Sequence, residues 1–158
     1  MAVAAAVSIL DPWITVFCTR RFATVLIRPL RQDDREQDTA YLQGLSRQGT
    51  TFVATAEQDG VEQLVGVASY GVCDELGTAE FAVSVPDAWQ RCGIATALMK
   101  ELVRYASQQR IRRLIGRIPP DNHAMVALAR RLGFTVRYDP AQHVFFSTCT
   151  LNGAETKE

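Results

Sequence analysis

The period of the apolar residues changes between residues 78 and 108, and it changes at one glycine. Upstream, TAEFAVSV (78–85) reads as a strand that ends at Pro86. Downstream of Gly93, Ile94, Leu98, Leu102 and Tyr105 recur at helical spacing, while Lys100, Glu101, Arg104 and Gln108 face outward. A strand that feeds a helix through so short a turn commits the chain to an α/β architecture.

The flanking segments fit that class. RFATVLIRPL (21–30) reads as a strand stopped by Pro29, and the charged RQDDREQ after it as a helix start with Asp33 or Asp34 near its cap. Tyr41, Leu42 and Leu45 give that helix a thin apolar stripe, which Gly44 and Gly49 limit. TTFVATAEQDGVEQLVGVASYGV holds two β-rich runs around the turn signal Gln58-Asp59-Gly60, a hairpin, and TAEFAVSV extends it to a meander. After the long helix, RRLIGRI (112–118) is a strand. Asp121-Asn122 then cap a second helix with Met125, Leu128, Ala129 and Leu132 as its buried stripe and Gly133 as its stop. FTVRY and HVFFSTCTL add two strands. The order β, α, three strands, α, β, α, β, β predicts one α/β domain over residues 22–151, a mixed and mostly antiparallel central sheet flanked by helices. Residues 1–21 read as an arm, an extra edge strand or an overlong start, and 152–158 as a flexible tail.

Lys plus Arg equals Asp plus Glu at 17 each, so no overall basic field recruits nucleic acid or an anionic membrane surface. Partners must therefore come from a site. The opening MAVAAAVSIL has no positive n-region and is interrupted by Asp11 and Pro12, which makes it a poor signal peptide and too short for a span. Cys18, Cys73, Cys92 and Cys149 are scattered without a C-x-x-C pair, which argues against a disulfide framework or a metal site and points to a reducing, cytoplasmic setting. His123 and His143 have no partner at ligand spacing and read as surface residues.

The turn itself, DAWQRCGIATAL (87–98), has two readings in isolation. Gly93 and Ala95 are small, Thr96 offers a hydroxyl and Arg91 a charge, the ingredients of a phosphate cradle at a helix N-terminus; a glycine corner made for packing has the same look. Its context, after a strand end and before a helix in an open α/β sheet, is where such folds bind ligands, and this favours the phosphate.

Two marks now carry a resemblance. Gln90, Gly93 and Ala95 fill the pattern R/Q-x-x-G-x-G/A at the strand-to-helix turn, and Asn122 precedes a helix that ends in Leu132-Gly133-Phe134. Residues 78–134 thus resemble the acyl-CoA-binding half of the GCN5-related N-acetyltransferase (GNAT) superfamily. TAEFAVSVPDAWQRCGIATALM and NHAMVALARRLGF are closest in wording to the catalytic domain of bacterial protein lysine acetyltransferases, and LIRPLRQDD is similar to that family's first strand and helix start.

The resemblance implies a GNAT fold and direct transfer of an acetyl group from acetyl-CoA, as co-substrate and without a metal, to an amine, here a protein lysine. An ammonium of pKa ~10.4 must first lose its proton, so a base is required. In the lysine acetyltransferase branch that base is a strand glutamate, and Glu80 stands in its place. Glu80 is the only acid in TAEFAVSV, among small and apolar neighbours. By the same resemblance the backbone of Val83 and Val85 pairs with the pantetheine arm, and the amides of Arg91, Cys92, Gly93, Ile94, Ala95 and Thr96 hold the pyrophosphate. Asn122 touches the pantetheine besides capping its helix, and Arg131, with Arg130, approaches the adenosine end; a solvated helix face explains both arginines equally well. Cys92 also reads as a small residue filling a tight turn.

Two departures stand out. Where many relatives place a thiolate-protonating tyrosine this chain has Ala129, with Tyr105 and Tyr138 as substitutes that read better as packing residues. Between Leu45 and Thr51 there is almost nothing where the family has another helix, a region that shapes the acceptor groove. A small-amine acetyltransferase and a non-catalytic acyl-CoA-binding module are the competing readings. A homodimer through the N-terminal arm or the last strand is the edge-strand expectation.

Overall fold

The structure is a computed structural model and describes residues 13–19, 23–31, 33–34 and 49–151. Its strands are β1 (Thr15–Cys18), β2 (Thr24–Pro29), β3 (Gly49–Gln58), β4 (Val61–Val72), β5 (Thr78–Ser84), β6 (Arg113–Ile118), β7 (Thr135–Asp139) and β8 (Val144–Thr150), and its long helices are α1 (Ile94–Gln108) and α2 (His123–Arg131). Among the described residues the eight strands form one sheet in the order β1-β2-β3-β4-β5-β6-β8-β7. Every pairing is antiparallel except β5 with β6. The mixed, mostly antiparallel α/β sheet is the one expected from the element order. The helix expected from the RQDD segment is helical at Asp33 and Asp34; beyond Asp34 that expectation lies outside the described residues, as does the 152–158 tail.

The local chemistry explains the joints. Asp59 (φ 51°) and Gly60 (φ 79°) form the two-residue loop between β3 and β4, both in the left-handed region that a type I′ hairpin turn demands. Ala54 pairs with Gly66 but Thr55 with Leu64, so Val65 is an extra residue that bulges β4. Gly66 is obligatory for packing, since a Cβ there would stand 2.9 Å from both Ile94 Cγ2 and Leu98 Cδ1. This close approach seats α1 on β4, where Ile94, Leu98, Met99, Leu102 and Ala106 are buried. Full burial of a Leu or Met contributes about 1.5–3 kcal/mol each.

Glu101 and Arg104, expected to face solvent, instead hold the N-terminal strand. Thr15 Oγ1 donates to Glu101 at 3.0 Å, and Arg104 pairs with the same carboxylate at 2.8 Å while its guanidinium lies 4.3 Å from the Trp13 ring centroid. Trp13 meets Tyr105 edge-on at 4.7 Å, and Phe52 completes the cluster. The outward reading failed because it treated α1 as covered on one face only, whereas β1 brings a second.

On α2, Asn122 caps the first turn by accepting from the Met125 amide at 3.2 Å. Gly133, at φ 88°, ends the helix in a Schellman motif, with Phe134 N donating to Ala129 O at 2.9 Å and Gly133 N to Arg130 O at 3.1 Å. The expected buried stripe is off by a small rotation: Val126, Leu128 and Ala129 are buried, whereas Met125 and Leu132 are only partly so.

One buried ion pair pins β2. Arg28, 2% exposed, reaches Asp34 through two bonds of 2.7 and 2.8 Å and Glu62 through one of 2.6 Å. Burial alone would push the Asp34 carboxyl up, but hydrogen bonds from Arg28 and from the Arg31 amide outweigh it and hold the carboxyl below the usual carboxylate range. Burial opposes the Arg28 charge as well, and its bonds to Asp34 and Glu62 reverse the effect.

Candidate functional site: a fork in the sheet

The site begins where the sheet stops being paired. β5 and β6 share three register pairs, Thr78 with Arg113, Ala79 with Leu114 and Glu80 with Ile115, and then separate. β5 continues to pair with β4 as far as Ser84. From Phe81 onward its backbone therefore has a partner strand on one side and, among the described residues, none on the other. At the first position past the fork Phe81 lies over Gly116, where a Cβ would come within 2.5 Å of the ring, and Phe134 meets that ring edge-on at 5.3 Å. Pro119 and Pro120 follow β6 directly and remove two amides that a continued ladder would use.

A cavity of about 570 Å³ opens beyond the fork. Val83 and Val85 form one wall, the turn from Trp89 to Thr96 its floor, and α2 its other wall. The turn is shaped by two left-handed residues, Arg91 (φ 62°) and Gly93 (φ 89°). Nothing lies within 4 Å of where a Gly93 Cβ would stand, so the glycine is required by its φ and not by crowding. Gln90 braces the turn from outside by donating to Val85 O at 3.0 Å and to Asp87 Oδ1 at 3.1 Å.

The first bond into α1 runs from Ala97 N to Gly93 O, and no side chain caps the helix. The amides of Ile94, Ala95 and Thr96 are consequently left without an acceptor among the described residues, at the end of a 15-residue helix where the dipole is positive. These amides, with a small side chain at Ala95, make an anion site of the kind that binds phosphate.

A second cavity, of about 190 Å³, lies in the fork itself and is lined by Glu80, Phe81, Ala82, Val83, Arg117, Ile118, Pro119, Asn122 and Met125. Val83, Asn122 and Met125 line both cavities and so mark where they meet. Glu80 is half-buried there. Asn122 spends its oxygen on the Met125 amide, and its amide nitrogen has no partner among the described residues.

Of the residues expected from the sequence, Val83, Val85, Gln90, Arg91, Gly93, Ile94, Ala95, Thr96, Asn122 and Arg131 line the larger cavity, and Glu80 lines the smaller. Cys92 does not line either: its side chain is 4% exposed in the core, with the thiol 3.5 Å from Gln90 O. Arg130 is exposed and lines neither. Ala129 is buried, Tyr105 packs on Trp13 and Phe52, and Tyr138 lies beside His143 at 3.2 Å and stacks edge-on with Phe145. Sequence reasoning expected Arg131 but missed Trp89, Arg117 and the α2 face Ala124, Ala127 and Leu128 that leads to it. That face was legible as a helical i, i+3, i+4, i+7 set of small residues closed by an arginine.

A family model described as the acetyltransferase (GNAT) family matches residues 18–134. The chain is 31% identical, over an alignment 158 positions long, to an acetyltransferase of Pseudomonas aeruginosa, covering 82% of this chain and 84% of that one. It is 30% identical over 101 residues to an L-methionine sulfoximine/L-methionine sulfone acetyltransferase of Pseudomonas paraeruginosa, covering 61% and 58%. Among solved structures, the GNAT domain of S. lividans PAT superposes with a TM-score of 0.71 at 19% identity, over 88% of this chain and 97% of that one. The ribosomal-protein-S18-alanine N-acetyltransferase of Escherichia coli gives 0.63 at 18% identity, over 85% and 98%. At those identities the structural likeness speaks for the fold.

Proposed function

The chain belongs to the GNAT family of acetyltransferases, and from that premise we propose that it transfers the acetyl group of acetyl-CoA to a primary amine, with Glu80 as general base. The observation that carries this reading is the meeting of the two cavities at Val83, Asn122 and Met125, with an amide-lined anion site on one side and a half-buried carboxylate on the other. In this reading the amides of Ile94, Ala95 and Thr96 hold the pyrophosphate. The open edge at Val83 of β5, with Val85 just beyond the strand, receives the pantetheine amides as a further strand would, and Arg131 faces the adenosine phosphate. Acetyl-CoA supplies a thioester carbonyl to the fork.

Glu80 supplies what the amine lacks. At pH 7 an alkyl amine of pKa ~10.4 is free base in only about 1 molecule in 2,500. A carboxylate beside the nitrogen takes the ammonium proton, the neutral amine attacks the thioester carbonyl, and as the carbon–sulfur bond breaks to release a thiolate the second nitrogen proton passes to solvent. With Ala129 packed in the core, no acid is required at that step, because a thiol of pKa ~8.5 leaves as its anion. The protein lysine expected as acceptor is supported by the wording of the motifs. The size of the fork cavity and the small-molecule substrate named for the methionine sulfoximine relative support a small amine instead, and we favour that class.

The test is release of the coenzyme A thiol by purified protein with an amine panel, wild type against Glu80→Gln. The substitution is expected to lower turnover by ~10²–10⁴-fold, the usual range for removing a general base, with acetyl-CoA affinity unchanged. Turnover that survives the substitution at every pH would remove Glu80 from the role.

A further inference from the structure

We propose that Arg117 is the acceptor-recognition residue, and that the acceptor is an amine carrying a carboxylate, a free amino acid. The inference rests on the transfer reading above and deepens it. Its observation is the charge content of the fork cavity. Glu80 and Arg117 both line this space, one from each of the two diverging strands, and they do not pair with each other. The sheet alternation puts them on the same face: Glu80 is opposite Ile115, and Arg117 is two residues beyond it.

The contrast with Arg113, four residues earlier on the same face, is informative. Arg113 is tied to Glu75 at 2.7 Å, whereas Arg117 is exposed and has no carboxylate partner among the described residues. An anion and a cation that share a cavity without neutralising one another complement a zwitterion, with the ammonium toward Glu80 and the carboxylate toward the guanidinium. A guanidinium suits this role because its planar fork of donors matches a carboxylate. At about 190 Å³ the cavity is below the ~300–1,000 Å³ of sites for drug-sized ligands, which fits a compact acceptor. A protein lysine side chain would bring its ammonium to Glu80 but leave the guanidinium facing nothing of opposite charge on the acceptor.

The row continues outward. Arg117 is opposite Phe146 on β8, and Phe146 is opposite Arg137 on β7. Arg137 is exposed as well, lies outside the cavity and serves as a control.

The experiment compares free amino acids with their methyl esters by two readouts on the full chain: coenzyme A release, and binding in the presence of coenzyme A followed by ligand NMR. Wild type should prefer the free acids by about 10-fold or more in kcat/KM, the worth of one charge-assisted hydrogen bond, through KM and not kcat. Arg117→Gln should abolish that preference in both readouts while ester turnover is retained. Arg117→Lys should restore part of it, and Arg137→Gln should leave it intact. Equal use of acids and esters by wild type, a preference for lysine-containing peptides, or an unchanged acid-to-ester ratio in Arg117→Gln would each overturn the assignment. If amino acids bind in a manner that depends on Arg117 but no thiol is released from any acceptor, the transfer reading falls and the recognition residue stands.

Discussion

Two glycines of this chain have nearly the same backbone angle and nearly the same surroundings, and this makes Gly93→Ala a controlled experiment. Gly93 is at φ 89° and Gly133 at φ 88°, and at neither would a Cβ meet an atom within 4 Å. Alanine at either site therefore costs only the left-handed conformation, about 1–2 kcal/mol, less the ~0.5 kcal/mol gained by restricting the unfolded chain. Gly133→Ala should lose about 1 kcal/mol of stability, a fall in melting temperature of ~2–4 °C for a domain of this size, and Gly93→Ala less than that, since its turn is free to relax. Binding should separate them. Gly93 sets the direction of the amides of Ile94, Ala95 and Thr96, whereas Gly133 ends α2 away from both cavities. An alanine at 93 relaxes toward negative φ in the free protein and must return to the strained angle when a phosphate engages. The affinity for acetyl-CoA should then drop by ~5–30-fold, the same 1–2 kcal/mol expressed as a ratio. Gly133→Ala should bind as wild type. Melting curves with calorimetric titration of acetyl-CoA measure both quantities. Equal affinities in the two variants would refute the cradle and leave Gly93 as a corner.

Asp34→Asn takes from the buried Arg28 its doubly bonded partner and leaves Glu62 alone to balance the charge, which should cost about 1–3 kcal/mol of stability, measured by urea unfolding. The Asp34 carboxyl is held below its unfolded value, so its stabilisation is complete above about pH 4 and is lost as pH falls through the lower folded value. The acid limb of the stability curve should flatten in the variant, and an unchanged limb would show that other carboxylates govern it. Gly116→Ala drives a methyl group into the Phe81 ring and should cost about 1–3 kcal/mol, with partial rescue by Phe81→Leu in the double mutant. Additive losses in that pair would mean that the two residues do not meet as described.

What the sequence disclosed and what it hid follow one physical line. The hairpin, the turn at 93 and the stop at 133 were legible because a positive φ writes itself into the chain as Asp59-Gly60, Gly93 and Gly133. Period alone placed Leu128 and Ala129 in the buried stripe of α2 but chose Met125 over Val126, because a helix lined by a cavity has two non-polar sides and a pattern of apolar residues does not say which is packed. The Arg28–Asp34 pair and the docking of Glu101 and Arg104 under β1 went unread, since each depends on residues 6 to 86 positions away meeting in space. Arg117 is the sharpest case. In RRLIGRI it looks like the arginines before it, and only the loss of β5–β6 pairing after Glu80 gives it a cavity to face.

The same distinction bears on how the two halves of the site can vary. In the proposed reading the donor side rests mainly on backbone, the amides at the start of α1 and the edge of β5 at Val83, and backbone is supplied by any residue able to adopt the required angle. A short motif with one obligatory glycine is enough to specify it. The acceptor side in that reading rests on side chains, Glu80 for the proton and Arg117 for the carboxylate, at and beyond the last register pair of β5 with β6. In that reading a single substitution at 117 exchanges one acceptor for another without disturbing the donor side. On this argument the residue that distinguishes this acetyltransferase from others of its fold lies outside the motif that identifies it, two positions past the last residue of β6 that pairs with β5.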